Sequence, residues 1–238
     1  SLLAPFFCSL LVETIWISSR SPLGKSLPPR CRQAPPDAFS SGTALNDLLC
    51  RIETPWLLMI PDARRLEIPP PSLERLLEVA EITGAGLVYA DFRDRGTDGR
   101  LHDHPLIDYS MGSIRDTFDF GPLMLFSVPA ISQTLKIRGA IPPLKHAALY
   151  DLRLKLSLDS AVFHLQEFLC TRTEIDSRSS GEKIFDYVRS DQQAVQKEME
   201  NVAMDHLQRL GAFLSPIFKP LPPGSQDFPV EASVIIPV

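Results

Sequence analysis

Trp56-Leu-Leu-Met-Ile60, Ser72-Leu-Glu-Arg-Leu-Leu-Glu-Val-Ala80 and Gly86-Leu-Val-Tyr-Ala-Asp-Phe92 follow one another in the chain, and together they decide the fold. The first is a continuous apolar run stopped by Pro61, the pattern of a strand buried on both faces. In the second, Leu73, Leu76, Leu77 and Ala80 recur at helical spacing up to Gly84. Pro69-Pro-Pro71 breaks the chain before it, and Ser72 reads as its capping residue. The third is another buried strand. Strand, helix and strand in this order imply a right-handed parallel crossover and hence an α/β sheet.

Working outward, Glu13-Thr-Ile-Trp-Ile-Ser-Ser19 reads as a short strand running into a polar turn. Residues 20–42, rich in Pro, Ser and Arg, form a loop, and 43–53 a short helix. On the other side, Arg93 to Phe120 is polar and irregular, with a turn at Thr97-Asp-Gly-Arg100. Leu123–Ser127 reads as a strand, Tyr150–Leu158 as a short helix, and 161–173 as one or two strands. Lys183–Leu210 carries Ile184, Val188, Val195, Met199, Val202, His206 and Leu210 among many charges, as a long surface helix does. A Pro-rich connector over 218–227 precedes the strand-like Ala232-Ser-Val-Ile-Ile-Pro-Val238.

With 238 residues, 44% hydrophobic and 22% charged, the chain is long enough to bury a core and too apolar for disorder. A net charge of -5 gives no electrostatic reason to bind nucleic acid or an anionic membrane. The four cysteines form no Cys-x-x-Cys pair, which argues against a zinc site and fits a reducing cytoplasm. The apolar opening from Ser1 to Val12 is too short to cross a bilayer, so no transmembrane segment is expected.

Ala44-Leu-Asn46, Trp56-Leu-Leu-Met-Ile-Pro-Asp-Ala63, Ser72–Leu77 and Leu87-Val-Tyr-Ala-Asp91 stand in the order and spacing of the central part of family 2 glycosyltransferases, which this chain resembles. Tyr150–Leu156 and Phe163–Thr173 are similar to that family's later helix and paired strands, so the resemblance covers most of residues 11–173. It implies a GT-A-like α/β fold: a mixed, mostly parallel sheet flanked by helices, with a long C-terminal helix. It also implies a nucleotide-sugar partner, bound by Ser18, Ser19, Asn46, Asp62, Arg64 and Arg65.

Sugar transfer from a nucleoside diphosphate needs charge neutralisation at the departing diphosphate and a base for the acceptor hydroxyl. At the positions the resemblance assigns to the metal, the chain carries Pro61, Asp62 and Ala63, so Asp62 is the sole carboxylate there. Mn or Mg is expected only if that site is intact. Ser18 and Ser19 replace an acidic pair, and the catalytic Glu-Asp pair falls on Ala148 and Leu149. Asp91 and Asp151 are what remain as candidate bases, with a strand-end structural role for Asp91 and a helix-capping role for Asp151 as the plainer readings. Arg64 and Arg65 either hold a diphosphate without a cation or lie on a solvated loop. His102-Asp-His104 has a spacing that metals use, but such a pair on an exposed segment more often binds nothing.

The expected organisation is a GT-A-like domain over 1–216, a Pro-rich linker over 217–231, and a terminal strand over 232–238. That strand either begins a following glycosyltransferase domain or completes this domain's own sheet. The resemblance implies a domain of a nucleotide-sugar-dependent transferase in polysaccharide or surface-glycan synthesis, catalytically impaired in this segment. The alternative is a non-catalytic domain that binds a sugar or nucleotide, or serves as a scaffold for an adjacent catalytic domain.

Overall fold

The computed structural model describes residues 9–19, 27–62, 66–173 and 190–218. Within them, β1 (Ile15–Ile17) and β2 (Cys31–Gln33) form a small parallel pair. Then come α1 (Gly42–Leu49), β3 (Trp56–Met59), β4 (Leu66–Glu67), α2 (Pro71–Thr83) and β5 (Leu87–Arg95). They are followed by β6 (Leu101–His104), β7 (Met124–Ser127), α3 (Val128–Arg138), α4 (Ala148–Leu156), β8 (Val162–Thr173) and α5 (Ser190–Arg209).

The larger sheet has the order β3-β7-β5-β8-β4, with β6 added to β5. β3 and β5 each pair antiparallel with β7, so they run parallel to one another, as the strand-helix-strand order requires, with β7 between them. The expected mixed sheet flanked by helices is present. Its balance is less parallel than anticipated: in this sheet β5 and β8 form the parallel pair, and the other described pairings are antiparallel. The cause is topological, because Met124–Ser127 enters between the two crossover strands and Leu101–His104 folds back as a hairpin on β5.

β5 is the centre of the molecule. Leu87 and Tyr89 face a core built with Leu45 of α1, Ile131 of α3, and Leu152 and Leu156 of α4. Val88, Ala90 and Phe92 face the opposite core with Leu76, Val79 and Ala80 of α2. This is the two-residue period of a strand covered on both faces, and each large side chain buried in it contributes about 1.5–3 kcal/mol. β3 differs from the expectation. Its side chains also reach both cores, but Trp56, Leu57 and Leu58 stay half-exposed, because β3 lies at the end of the sheet.

Ser72 does not cap α2. Its hydroxyl donates to the Leu169 carbonyl at 2.6 Å and ties the helix to β8, while Pro70 occupies the cap position. The chain over 161–173 is one strand with a register break: Gln166–Leu169, four residues, stand opposite the single residue Asp91. Arg75 of α2 holds this bulge through a two-pronged bond to Glu167.

α4 is buried on all sides. Lys155 Nζ lies 2.8 Å from Asp151 Oδ2 and donates to the Ala140 carbonyl at 3.0 Å. Arg153 donates to the carbonyls of Ser113 and Arg115. The helix start has no cap of its own, and Glu198 of α5 supplies one by accepting from the Lys145 and His146 backbone N–H groups. Tyr150 and Leu154 then pack against Val202.

Among the described residues no helix is long and apolar enough to cross a membrane. The start of the expected last helix (183–189), most of the 217–231 connector, the 232–238 strand, and Arg64 and Arg65 lie outside the described residues.

Candidate functional site

β1 and β3 end at one cleft of about 230 Å³, lined by Ser18, Ser19, Asp37, Phe39, Ser40 and Pro61. Pro61 stops β3 because it has no N–H to continue the ladder, and Ser18 and Ser19 follow the last residue of β1. The third wall is a turn. Asp37 adopts a left-handed φ of 57°, a conformation Asp tolerates better than most residues. Its carbonyl accepts from the N–H groups of Ser40 at 2.9 Å and Ser41 at 2.8 Å. Ser41 then caps α1 through Ala44 N–H.

Asn46 does not line this cleft. Its side-chain amide donates to the Ile141 carbonyl at 2.9 Å and accepts from the Ile141 N–H at 3.4 Å, so both ends hold the 139–144 loop. Gly42 makes the approach possible, since a Cβ there would sit 1.8 Å from the Pro142 carbonyl oxygen. Ser18 donates to the Pro35 carbonyl at 2.9 Å and keeps acceptor capacity.

The cleft is smaller than the roughly 300–1,000 Å³ of pockets that enclose a whole small ligand, so it accommodates only part of a nucleotide-sugar. Serine hydroxyls, a carboxylate and an aromatic ring suit hydroxyl or imide N–H donors with a flat apolar face. The described residues do not make a site for a divalent cation. Asp62 is exposed at the strand end between Pro61 and Ala63, and no three His, Cys, Asp or Glu side chains gather as a metal-holding group among the described residues.

Neither candidate base lines this cleft. Asp91 is buried at the register break of β8; on its other edge, β7 pairs with Leu87–Tyr89 and β6 with Phe92–Arg95. Its Oδ1 accepts from Leu106 N–H at 2.7 Å and lies 2.8 Å from His164 Nε2. His164 Nδ1 in turn lies 2.7 Å from Asp108 Oδ1, and Tyr89 stacks on the imidazole at 4.7 Å between ring centroids. The bonds from His164 and Gln166 hold the Asp108 carboxyl below its ordinary range, and burial pushes the Tyr89 phenol up. The chain Asp91–His164–Asp108 fastens the 105–110 loop to β5 and β8. Asp151 is raised by burial, against the pull of its partner Lys155 within α4.

Two further residues have settled roles. His104 stacks on Phe92 and lies 2.7 Å from Asp94, which Arg172 also grips. His146 is exposed, and its backbone N–H binds Glu198. Asp37, Phe39 and Ser40 are not legible as site residues in the sequence. They lie in a stretch whose composition announces only a loop, and Pro35-Pro-Asp37 before Ser40-Ser-Gly42 is its one turn signal.

No protein-family model matches the sequence, and no curated protein does. Among solved structures the chain is similar to S. aureus TarS 1–349 in complex with UDP-GlcNAc, at 15% identity and a TM-score of 0.41, over 77% of this chain and 56% of that one. It is similar to the same TarS fragment in complex with UDP at 16% identity and a TM-score of 0.41, over 77% and 55%. For S. aureus TarS the identity is 13% and the TM-score 0.42, over 77% of this chain and 33% of that one. The chain therefore spans about half the length of the TarS 1–349 chains.

Proposed function

We propose that this chain is a glycosyltransferase-like domain that holds the nucleoside end of a nucleotide-sugar at the Ser18–Ser19–Pro61 cleft and does not itself transfer the sugar. The observation that carries the reading is the meeting of two strand ends. The ends of Ile15–Ile17 and Trp56–Met59, where the sequence resemblance to family 2 glycosyltransferases puts the donor, line a single cleft. Its walls offer hydroxyls and Asp37 to the ribose and base, and Phe39 to a flat face.

Two observations on the described residues support impairment. A departing diphosphate needs positive charge, and among the described residues the cleft lining contains neither a Lys nor an Arg. The acceptor needs a base within hydrogen-bond reach, and Asp91 and Asp151 are both buried and bonded elsewhere. Incubation of the chain with UDP- and GDP-sugars, with and without manganese, tests this part: nucleotide release stays at the buffer rate. Manganese-dependent release that disappears in Asp62→Asn would show an active transferase instead.

A further inference from the structure

The part of the cleft wall that carries Phe39 and Ser40 hangs on the start of α4. The Ser40 carbonyl accepts from Ala148 N–H and the Phe39 carbonyl from Leu149 N–H, each at 3.1 Å, and Gly42 N–H donates to the Leu144 carbonyl at 2.9 Å. A Cβ at Gly42 would sit 1.8 Å from the Pro142 carbonyl oxygen, so the wall and this turn are in direct backbone contact. The preceding donors of the same turn face the other way. Lys145 N–H lies 3.0 Å and His146 N–H 2.8 Å from the carboxylate of Glu198 on α5.

The first N–H groups of a helix have no partner within it and must find one outside. At the start of α4 the backbone donors are divided between one carboxylate of α5 and two carbonyls of the cleft wall, so the 144–149 turn links the two. α5 brings a narrow apolar seam to this contact. Val202 and His206 are the side chains it buries among those described, and Val202 packs with Tyr150 and Leu154. A helix with so little apolar surface to bury depends on its polar contacts for its place.

We propose that Glu198 is a positioning residue for the cleft: by fixing the 144–149 turn it holds Phe39 and Ser40 in the arrangement that receives a nucleoside, so that docking of α5 on α4 sets the affinity of the cleft. Glu198 lies outside the cleft lining and acts through the turn. Its effect on affinity rests on the cleft being the nucleotide site, whereas its hold on the wall does not. Linkage is reciprocal, so a nucleotide in the cleft also tightens α5.

Two measurements on the full chain test the two parts separately. In hydrogen–deuterium exchange without nucleotide, Glu198→Ala frees more than its own partners: the amides of Gly42, Ala148 and Leu149 exchange about tenfold faster or more, while Val88–Phe92 keep their protection. Glu198→Gln, whose amide oxygen still accepts, gives about a threefold effect. Ser72→Ala, which weakens the fold at β8, leaves the three amides unchanged. In calorimetry with UDP and GDP, Glu198→Ala weakens binding about tenfold and Glu198→Gln about threefold, while Ser72→Ala stays within about twofold of the parent. Saturating nucleotide slows exchange of the 202–206 amides in the parent and leaves them unchanged in Glu198→Ala.

Unchanged exchange at Gly42, Ala148 and Leu149 in Glu198→Ala overturns the proposal, and so does nucleotide affinity equal to the parent's. An equal loss of affinity in Ser72→Ala also overturns it, because the effect is then general destabilisation. Silence of the parent chain with both nucleotides overturns the proposed function instead, and the exchange of the three amides still decides whether Glu198 holds the wall. If Glu198→Ala does not fold, Glu198→Gln decides by the same readings, and no change in either overturns the proposal.

Discussion

His164 Nε2 lies 2.8 Å from Asp91 Oδ1, and both side chains are almost fully buried, at 3% and 7% exposed. With Tyr89 stacked on the ring and Leu106 N–H on the same oxygen, the pair closes the one place where β5 loses its neighbours on both edges. Removing the imidazole takes one of two hydrogen-bond partners from a buried carboxylate oxygen, which costs about 1–3 kcal/mol. His164→Ala should therefore lower the urea midpoint sharply, and Asp108→Ala, on the exposed end of the same chain, should lower it much less.

Ser72 gives a second stability prediction. Its hydroxyl serves the buried Leu169 carbonyl and not the start of α2. Ser72→Ala leaves that carbonyl unpaired and should cost about 1–3 kcal/mol in chemical denaturation. Faster amide exchange should appear in the 166–170 bulge, while the first turn of α2 stays as protected as before.

Glu198 gives the stability curve an acid limb. Burial raises its carboxyl, but the backbone N–H groups of Lys145, His146 and Ala147 outweigh this and hold it below the ordinary glutamate value of 4.5. A carboxyl depressed in the folded state stabilises fully above its unfolded value and loses that contribution as pH falls through the folded one. Glu198→Gln should cost about 1 kcal/mol at pH 7, the scale of a lost helix cap. The gap to the parent chain should narrow in thermal melts below about pH 4.5.

Asn46 separates support from contact. Both ends of its amide are bonded to Ile141. Asn46→Ala should cost about 1–2 kcal/mol of stability and leave nucleotide affinity within about twofold, because the side chain is bonded to Ile141 and does not line the cleft.

Much of this architecture is legible in residues 56–92, because a buried apolar strand, a helix with Leu73, Leu76 and Ala80 on one stripe, and a glycine stop leave few alternatives. Elements without an apolar pattern are not legible in the same way. β5 continues through Arg93 and Arg95, whose ion pairs to Asp103 of β6 and Glu67 of β4 stand in place of hydrophobic alternation. α3 begins Val128-Pro-Ala130 and buries only Ile131 and Thr134, so its helical stripe is too thin to see. The cleft is half legible. The order of the motifs points to Ser18, Ser19 and the Pro61–Asp62 strand end. Asp37, Phe39 and Ser40 reach it through a left-handed turn that no local spacing announces.

The central claim is that the Ser18–Ser19–Pro61 cleft holds the nucleoside end of a nucleotide, so that binding needs no metal. Calorimetric titration of UDP and GDP, with and without manganese, measures this in the parent chain and in Ser40→Trp, whose indole fills the cleft. Binding of at least one nucleotide with the same affinity in both buffers, and its loss in Ser40→Trp, is the predicted result. Silence with both nucleotides, or affinity that appears only with manganese, would contradict it.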